Sequence, residues 1–477
     1  MRYSYLFLVF TCFAIPLFSQ GVGIGTQDVA SSALLELQSS TKGTLLTRMT
    51  SGERKAISNP ETGLLVFDTD KHTLYMYDGH AWLPLLFSTT ESMLPPFGVS
   101  AEDATLGDNF GYSVDISGIY AVVGTPYDKI GNNSVQGSAY IFKKIDGIWI
   151  QQDKISSSDG ASEDYFGSSV SIDGDYIVIG APSKTFNMME SAGRVYVFLR
   201  NGEQWVQQAN LQASDAGISD HFGFDVAISG NYVVVGAPYN DVGGQADRGC
   251  AYVFMRSGTT WTQQAVINPA LGLTGDHIGK DVAIDGAQML IGAPNDDNNG
   301  HENAGCVYYY KRIGNLWSMH HQFLPQSVQA NAYFGAAIAL EDTIAVIGCP
   351  NLDYLGFYNL GVVIVYFNNG TSWYKHAEII PDEHSENSSF GSCVDVSDGL
   401  IAIGAPYQQV DFYTSHGKAW VYQQDGNGWK VVRQVIDMDG QSFQQLGYAI
   451  GIHGHELIVS ANQKNHFKGE VFFVNLE

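Results

Sequence analysis

The chain has 477 residues, 45% of them hydrophobic and 15% charged, enough for a large core and for two or three domains. Asp and Glu number 49 against 24 Lys and Arg, a formal charge of −25. A surface of that sign repels phosphate backbones and anionic lipid, which excludes nucleic acid as a partner and leaves solubility or cation binding to explain the acidity. Residues 1–19 read as a secretory signal: Arg2, an apolar run from Leu6 to Phe18, then small Ser19 before Gln20. No later segment approaches the ~20 apolar residues of a membrane-spanning helix. The expected location is therefore secreted, extracellular or at the cell surface. Four cysteines follow the signal, Cys250, Cys306, Cys349 and Cys393, and no pair has metal-ligand spacing. They read as small buried hydrophobes, with disulfides as the alternative.

Residues 20–90 form a segment of their own character. Thr50 with Glu53 makes a capping box for a short helix that ends before Pro60. Leu64–Asp68 and Thr73–Tyr77 alternate as a hairpin, with Asp78–Trp82 as its next turn. The segment resembles one found at the start of many secreted bacterial surface and fibre-like proteins. That resemblance implies attachment or self-association through residues 20–90, a small α+β unit.

From residue 91 to 477 a pattern returns every 56 residues. Phe-Gly stands at Phe110, Phe166, Phe222, Phe334 and Phe390, with Ile278-Gly279 and Leu446-Gly447 as variants. A Gly-X-Pro follows at Gly124, Gly180, Gly236, Gly292, Gly348 and Gly404, and a tryptophan at Trp149, Trp205, Trp261, Trp317, Trp373 and Trp429. Each unit carries four short strand signals separated by tight turns, and helical periodicity is missing. The pattern predicts an all-β, seven-bladed β-propeller of four-stranded blades. The last unit stops one strand short, so residues 93–101, in fourth-strand register, are expected to complete blade seven and remove its open edge.

The Phe-Gly and Gly-Ala-Pro pairing, with Ser158–Gly167 before it and Gly193–Gln208 after it, resembles the FG-GAP repeat family, the fold of integrin α-subunit heads, in its bacterial secreted variety. The resemblance implies a cell-adhesion or binding module. It departs from integrins where their calcium loops sit: the turn between the first two strands is two residues, as at Ser229-Gly230, and has no room for a carboxylate cage.

Because the repeated residues are scaffold, function is sought where the repeat breaks. The loops from second to third strand, and from fourth strand to the next unit, are long and share one face. Two sectors there are irregular. Asp108, Asp164, Asp220 and Asp276 precede the Phe-Gly position in units one to four, and Asp128, Asp241, Asp296 and Asp297 lie in nearby loops. They either cap their own turns or hold Ca²⁺ as the one candidate cofactor. Tyr354, Phe357, Tyr358, Phe412 and Tyr413 in units five and six either pin their loops or form a ligand-binding patch. No nucleophile elbow, phosphate loop or zinc motif occurs, so no catalytic residue is assigned and the expected activity is non-catalytic binding of an extracellular protein or glycan. A lectin or a glycan-acting enzyme on the same face is the alternative.

Overall fold

A computed structural model describes residues 22–24, 35–37, 46–70, 73–77, 79, 81–85, 97–326, 328–411, 413–426, 428–437 and 442–476. The chain divides into two compact units, 1–86 and 87–477. The signal segment 1–19 lies outside the described residues, as do Phe412 and residues 93–96 with their two prolines. Among the described residues no helix is long and apolar enough to cross a membrane.

In the first unit the capping box forms: the Thr50 hydroxyl accepts from the Glu53 amide and the Glu53 carboxylate accepts from the Thr50 amide, starting the helix Ser51–Lys55. Strands Arg48–Met49, Leu65–Asp68, Thr73–Tyr77 and Trp82–Leu85 make one mixed sheet. Its core is small, centred on Val66, Tyr75 and Trp82. Buried Arg54 lies 3.7 Å over the Tyr75 ring and pairs with buried Asp68 at 3.0 Å. Removing either charge would strand the other in a dry site, the costly way to break such a pair.

The second unit is all-β. Among its described residues are seven four-stranded antiparallel sheets, propeller-like in their repetition, the first six of them simple meanders. The second illustrates them: Ser169–Asp173, Tyr176–Ala181, Arg194–Asn201 and Gln204–Leu211. Two-residue turns join its first and second and its third and fourth strands, and a bulge between Val197 and Phe198 adds twist to the outer pair. In the seventh sheet the fourth strand is Phe97–Val99, paired with Val471–Phe473 from the end of the chain. Second strands are buried along their whole length and fourth strands are mostly half-exposed, so the core lies towards the inner strands.

The repeated residues sit where sheet meets sheet. Gly180 needs to lack a side chain because a Cβ there would lie 2.1 Å from the Gly223 carbonyl of the next repeat. The phenylalanines of the Phe-Gly pairs are fully buried, and Phe110, Phe166, Phe222 and Phe390 meet rings of their own sheet edge-on, as Phe166 meets Tyr196 at 5.4 Å. The tryptophans reach backwards: Trp205 packs on Tyr120, Trp261 on Tyr176 and Trp317 on Tyr232, each on the preceding sheet. Trp149 of the first sheet stacks at 4.6 Å on Phe473 of the seventh. Such ring pairs contribute ~0.5–1.5 kcal/mol each beyond their area. The four described cysteines are free thiols; Cys250, Cys306 and Cys349 are buried and Cys393 is partly so.

Candidate functional site

One backbone latch runs from sheet to sheet along the long-loop face. The amide at each Phe-Gly position donates to a carbonyl in the second-to-third-strand loop of the sheet before it. The bonds are Phe166 to Gln136, Phe222 to Ala192, Ile278 to Arg248, Phe334 to Ala304, Phe390 to Leu360 and Leu446 to His416, at 2.9 to 3.1 Å. The Phe110 amide donates to Lys468 in the last sheet at 3.2 Å. The residue before each pair is left-handed, from Asn109 through Tyr165, His221, His277, Tyr333 and Ser389 to Gln445, with φ between 53° and 60°. That conformation lifts its side chain into the junction between two sheets.

Acidic residues on this face are mostly spent on their own turns. Asp108, Asp164, Asp220 and Asp276 are buried, and each accepts the amide three residues upstream, of Thr105, Ala161, Gly217 and Leu273, at 2.5 to 2.7 Å. Asp164 also pairs with Lys184 at 2.8 Å, and Asp220 accepts from Asn240. Burial pushes the carboxyls of Asp108 and Asp220 up and that of Asp276 to about 6. Asp103, Asp159 and Asp215 accept from the hydroxyls of Tyr140, Tyr196 and Tyr252 at 2.7 to 2.8 Å. Asp128 accepts from Ser138 and pairs with Lys154. Asp241 and Asp297, exposed, take the amides of Asp247 and Asn303, while half-buried Asp296 lies 3.5 Å from the Tyr308 hydroxyl. Among the described residues no three His, Cys, Asp or Glu side chains are grouped to hold a metal ion. The bonds from upstream amides to Asp108, Asp164, Asp220 and Asp276 are the hydrogen bonds of turn caps, each of the four buried carboxylates facing an amide of its own turn.

The aromatic residues divide. Tyr354 and Phe357 bridge one another through their backbones at 3.0 and 3.1 Å, and Tyr354 packs partly on the core of its sheet. The Phe357 ring rests 5.4 Å from His384, and Tyr413, bridged to Val410, lies 5.8 Å from His416. Only Tyr358 among them is largely exposed, at 65%. Other exposed apolar side chains lie around the same loops, among them Leu106, Met188, Ile218, Leu271 and Leu355.

What sequence reading missed lies between the fifth and sixth sheets. A cleft of about 400 Å³ opens there, lined by Asn351 and Asn359 from a loop of the fifth sheet, by Glu386, Asn387 and Ser389 ahead of the sixth, and by Tyr407 from a loop of the sixth. It stands where the left-handed station carries Ser389, small, whereas Tyr165, His221, His277 and Tyr333 bring rings to the same station elsewhere. Three of those rings pack on others: Tyr165 on Tyr127 at 5.4 Å, His221 and His277 on Tyr239 at 5.2 and 4.9 Å. The two histidines, which at first sight suggest a metal, are ring partners of one tyrosine. The signal was present in the sequence, as the residue just ahead of Phe-Gly, but it becomes meaningful only once that residue is known to point into the junction.

Comparison with known families finds two matches. The FG-GAP repeat family matches residues 99–142, 149–198, 205–254, 261–310 and 373–422. A family described as a phage tail like trimerisation region matches residues 23–95. No curated protein matches the chain.

Proposed function

This chain belongs to the FG-GAP repeat family, and on that premise we propose that it is an exported, non-catalytic binding module whose ligand sits on the long-loop face of a seven-bladed propeller. The latch of inter-sheet hydrogen bonds carries the reading. It holds long loops of differing sequence on a rigid base, the arrangement by which scaffolds present binding residues. The return of the latch from Phe110 to Lys468, and of the tryptophan packing from Trp149 to Phe473, supports a closed ring of seven blades. Exposed Met188, Ile218, Leu271 and Tyr358 supply apolar contact area on that face. Binding is favoured over turnover because glycoside hydrolysis uses two facing carboxyl groups, and the lining of the cleft has one, Glu386.

Export rests on the signal-like residues 1–19. The match of residues 23–95 to a trimerisation region supports self-association by the first unit, whose described residues contribute three buried side chains to its core cluster. Three chains held together would present three faces and gain avidity without any new contact. Light scattering of the exported protein is expected to give three chains per particle; a monomer excludes this part of the proposal.

To test the binding face, protein lacking residues 1–19 is immobilised and challenged with purified extracellular proteins and glycans. Met188→Asp, Ile218→Asp and Leu271→Asp are expected to weaken capture at least ~10-fold, about 1.4 kcal/mol. Ile148→Asp and Leu316→Asp, at exposed positions beside the two-residue turns, should leave it unchanged. Equal effects on both sets, or none on either, would contradict the assignment of the face.

A further inference from the structure

We propose that the cleft between the fifth and sixth sheets is a binding site for a neutral saccharide. This rests on the long-loop face being the binding face and names what one part of it recognises. The cleft, at about 400 Å³, falls in the lower range of small-molecule sites and suits one or two sugar rings. Its lining is built from asparagine and glutamine amides and from serine and threonine hydroxyls, with one tyrosine and one carboxylate. Amides and hydroxyls both donate and accept, which is what a ring of sugar hydroxyls requires. Tyr407, 41% exposed, offers a ring to the apolar C–H face of a pyranose.

The same lining excludes other classes. It contains neither Lys nor Arg, and the chain carries a formal charge of −25, so phosphorylated, sulfated and carboxylated ligands are repelled. It contains no aliphatic side chain, so a hydrophobic ligand would leave the amides without partners.

The amides are held in place and left available. The Asn359 amide group donates to the Asn387 side-chain oxygen at 2.8 Å, which orients both and keeps an acceptor on Asn359 and donors on Asn387 for a ligand. Asn387 is fixed further by its backbone bond to Tyr358, and Asn359 by its backbone bond to the Asp353 carboxylate, both at 2.8 Å. The Asn351 side chain makes no hydrogen bond among the described residues. Ser389 keeps the floor open, and its left-handed backbone (φ 53°) is the one that holds Tyr165 (φ 56°) and Tyr333 (φ 55°). A tyrosine there would therefore enter the cleft without backbone strain.

Calorimetry of the full chain lacking residues 1–19 tests the proposal, with methyl glycosides of neutral hexoses and N-acetylhexosamines, their short oligomers, and sialylated and sulfated counterparts as probes. Saturable binding of a neutral probe at one site per chain is expected, weakened at least ~10-fold by Ser389→Tyr and by Asn351→Ala. Binding of the simple glycosides assigns the cleft to a terminal sugar, and binding of oligomers alone assigns it to an internal stretch of polysaccharide. Thermal unfolding at the wild-type temperature shows that both variants are folded; Asn351→Ala alone serves if Ser389→Tyr is not. Preference for charged probes, neutral binding untouched by both substitutions, or no neutral binding would overturn the proposal. Should neutral probes fail while Met188→Asp and Ile218→Asp still abolish capture of another ligand, the sugar site is wrong and the binding face stands. Should those rim substitutions also do nothing, the face itself is wrong.

Discussion

The junction between the fourth and fifth sheets and the one between the fifth and sixth start from the same asparagines and end differently. In the former, Asn303 donates to Asn331 at 2.9 Å; in the latter, Asn359 donates to Asn387 at 2.8 Å. In the former the amides are consumed: His277 meets Asn295 at 3.1 Å and Asn295 donates to Asn303 at 2.9 Å. In the latter Asn351, at the station of Asn295, has no such bond, and Ser389 stands where Tyr333 stands next door. One junction is closed by protein contacts and the other is open to a ligand. In a repeat protein the scaffold is thus written by what recurs, and a cleft can open where one variable station carries a small residue.

The comparison can be broken or sharpened by substitution. The largest effect is expected where the junctions are alike. Gly305→Ala and Gly361→Ala each place a Cβ 2.2 Å from the carbonyl oxygen of the next Phe-Gly pair, at φ of 86° and 80°. Both should cost at least ~3 kcal/mol in denaturant unfolding, because the clash is with backbone and the latch must part. A large cost at one junction and none at the other would deny that they share a scaffold.

Smaller effects are expected where the junctions differ. Tyr333→Ser should cost about 1–2 kcal/mol through lost burial and bind no second equivalent of sugar, since the amides beneath it are already paired. A second equivalent in calorimetry would break the comparison. Asn303→Ala removes two side-chain hydrogen bonds and should destabilise by about 1–2 kcal/mol, whereas Asn351→Ala should change unfolding by less than ~0.5 kcal/mol and act on ligand binding alone.

The smallest effect concerns pH. Asp395 of the sixth sheet accepts from the Ile452 amide of the next at 2.7 Å, while the fifth sheet has Ala339 at that station. Burial, with nearby Asp115 adding repulsion, pushes the Asp395 carboxyl up to about 8. A carboxyl raised in the folded state binds more protons there than when unfolded, so its stabilisation is full at low pH and is lost as pH rises towards 8. Burial lowers the pKa of His221, His321 and His416, which act in the opposite sense below about pH 6.5. Between pH 6.5 and 8 the melting temperature should therefore fall by about 2 °C or more, and by less in Asp395→Asn. Equal slopes in the two proteins would remove Asp395 as the cause.

Much of the scaffold was legible because it obeys a period. Phe-Gly, Gly-X-Pro and Trp recur since each makes the same contact within or between neighbouring sheets at every repeat, and the strand signals between them gave an all-β chain of repeated sheets. The acidic sector was visible but ambiguous: Asp108 and Asp276 look alike in sequence whether they bind a cation or cap a turn, and their bonds to the amides of Thr105 and Leu273 appear only in the structure. The aromatic sector was ambiguous in the same way, since Phe357 rests on His384, which sequence spacing does not bring near it, while Tyr413 lies beside His416 in its own loop. The cleft was illegible for a different reason. It is made by an absent ring at Ser389 and by Asn351, Asn359 and Tyr407 from two sheets, and an absence has no motif.

A crystal structure of the chain with the best-bound neutral glycan tests the central claim most directly. The account predicts the sugar between the fifth and sixth sheets, hydrogen-bonded to Asn351 and Asn387 with its ring against Tyr407. A sugar seated at any other junction, or against the two-residue turns, would contradict it.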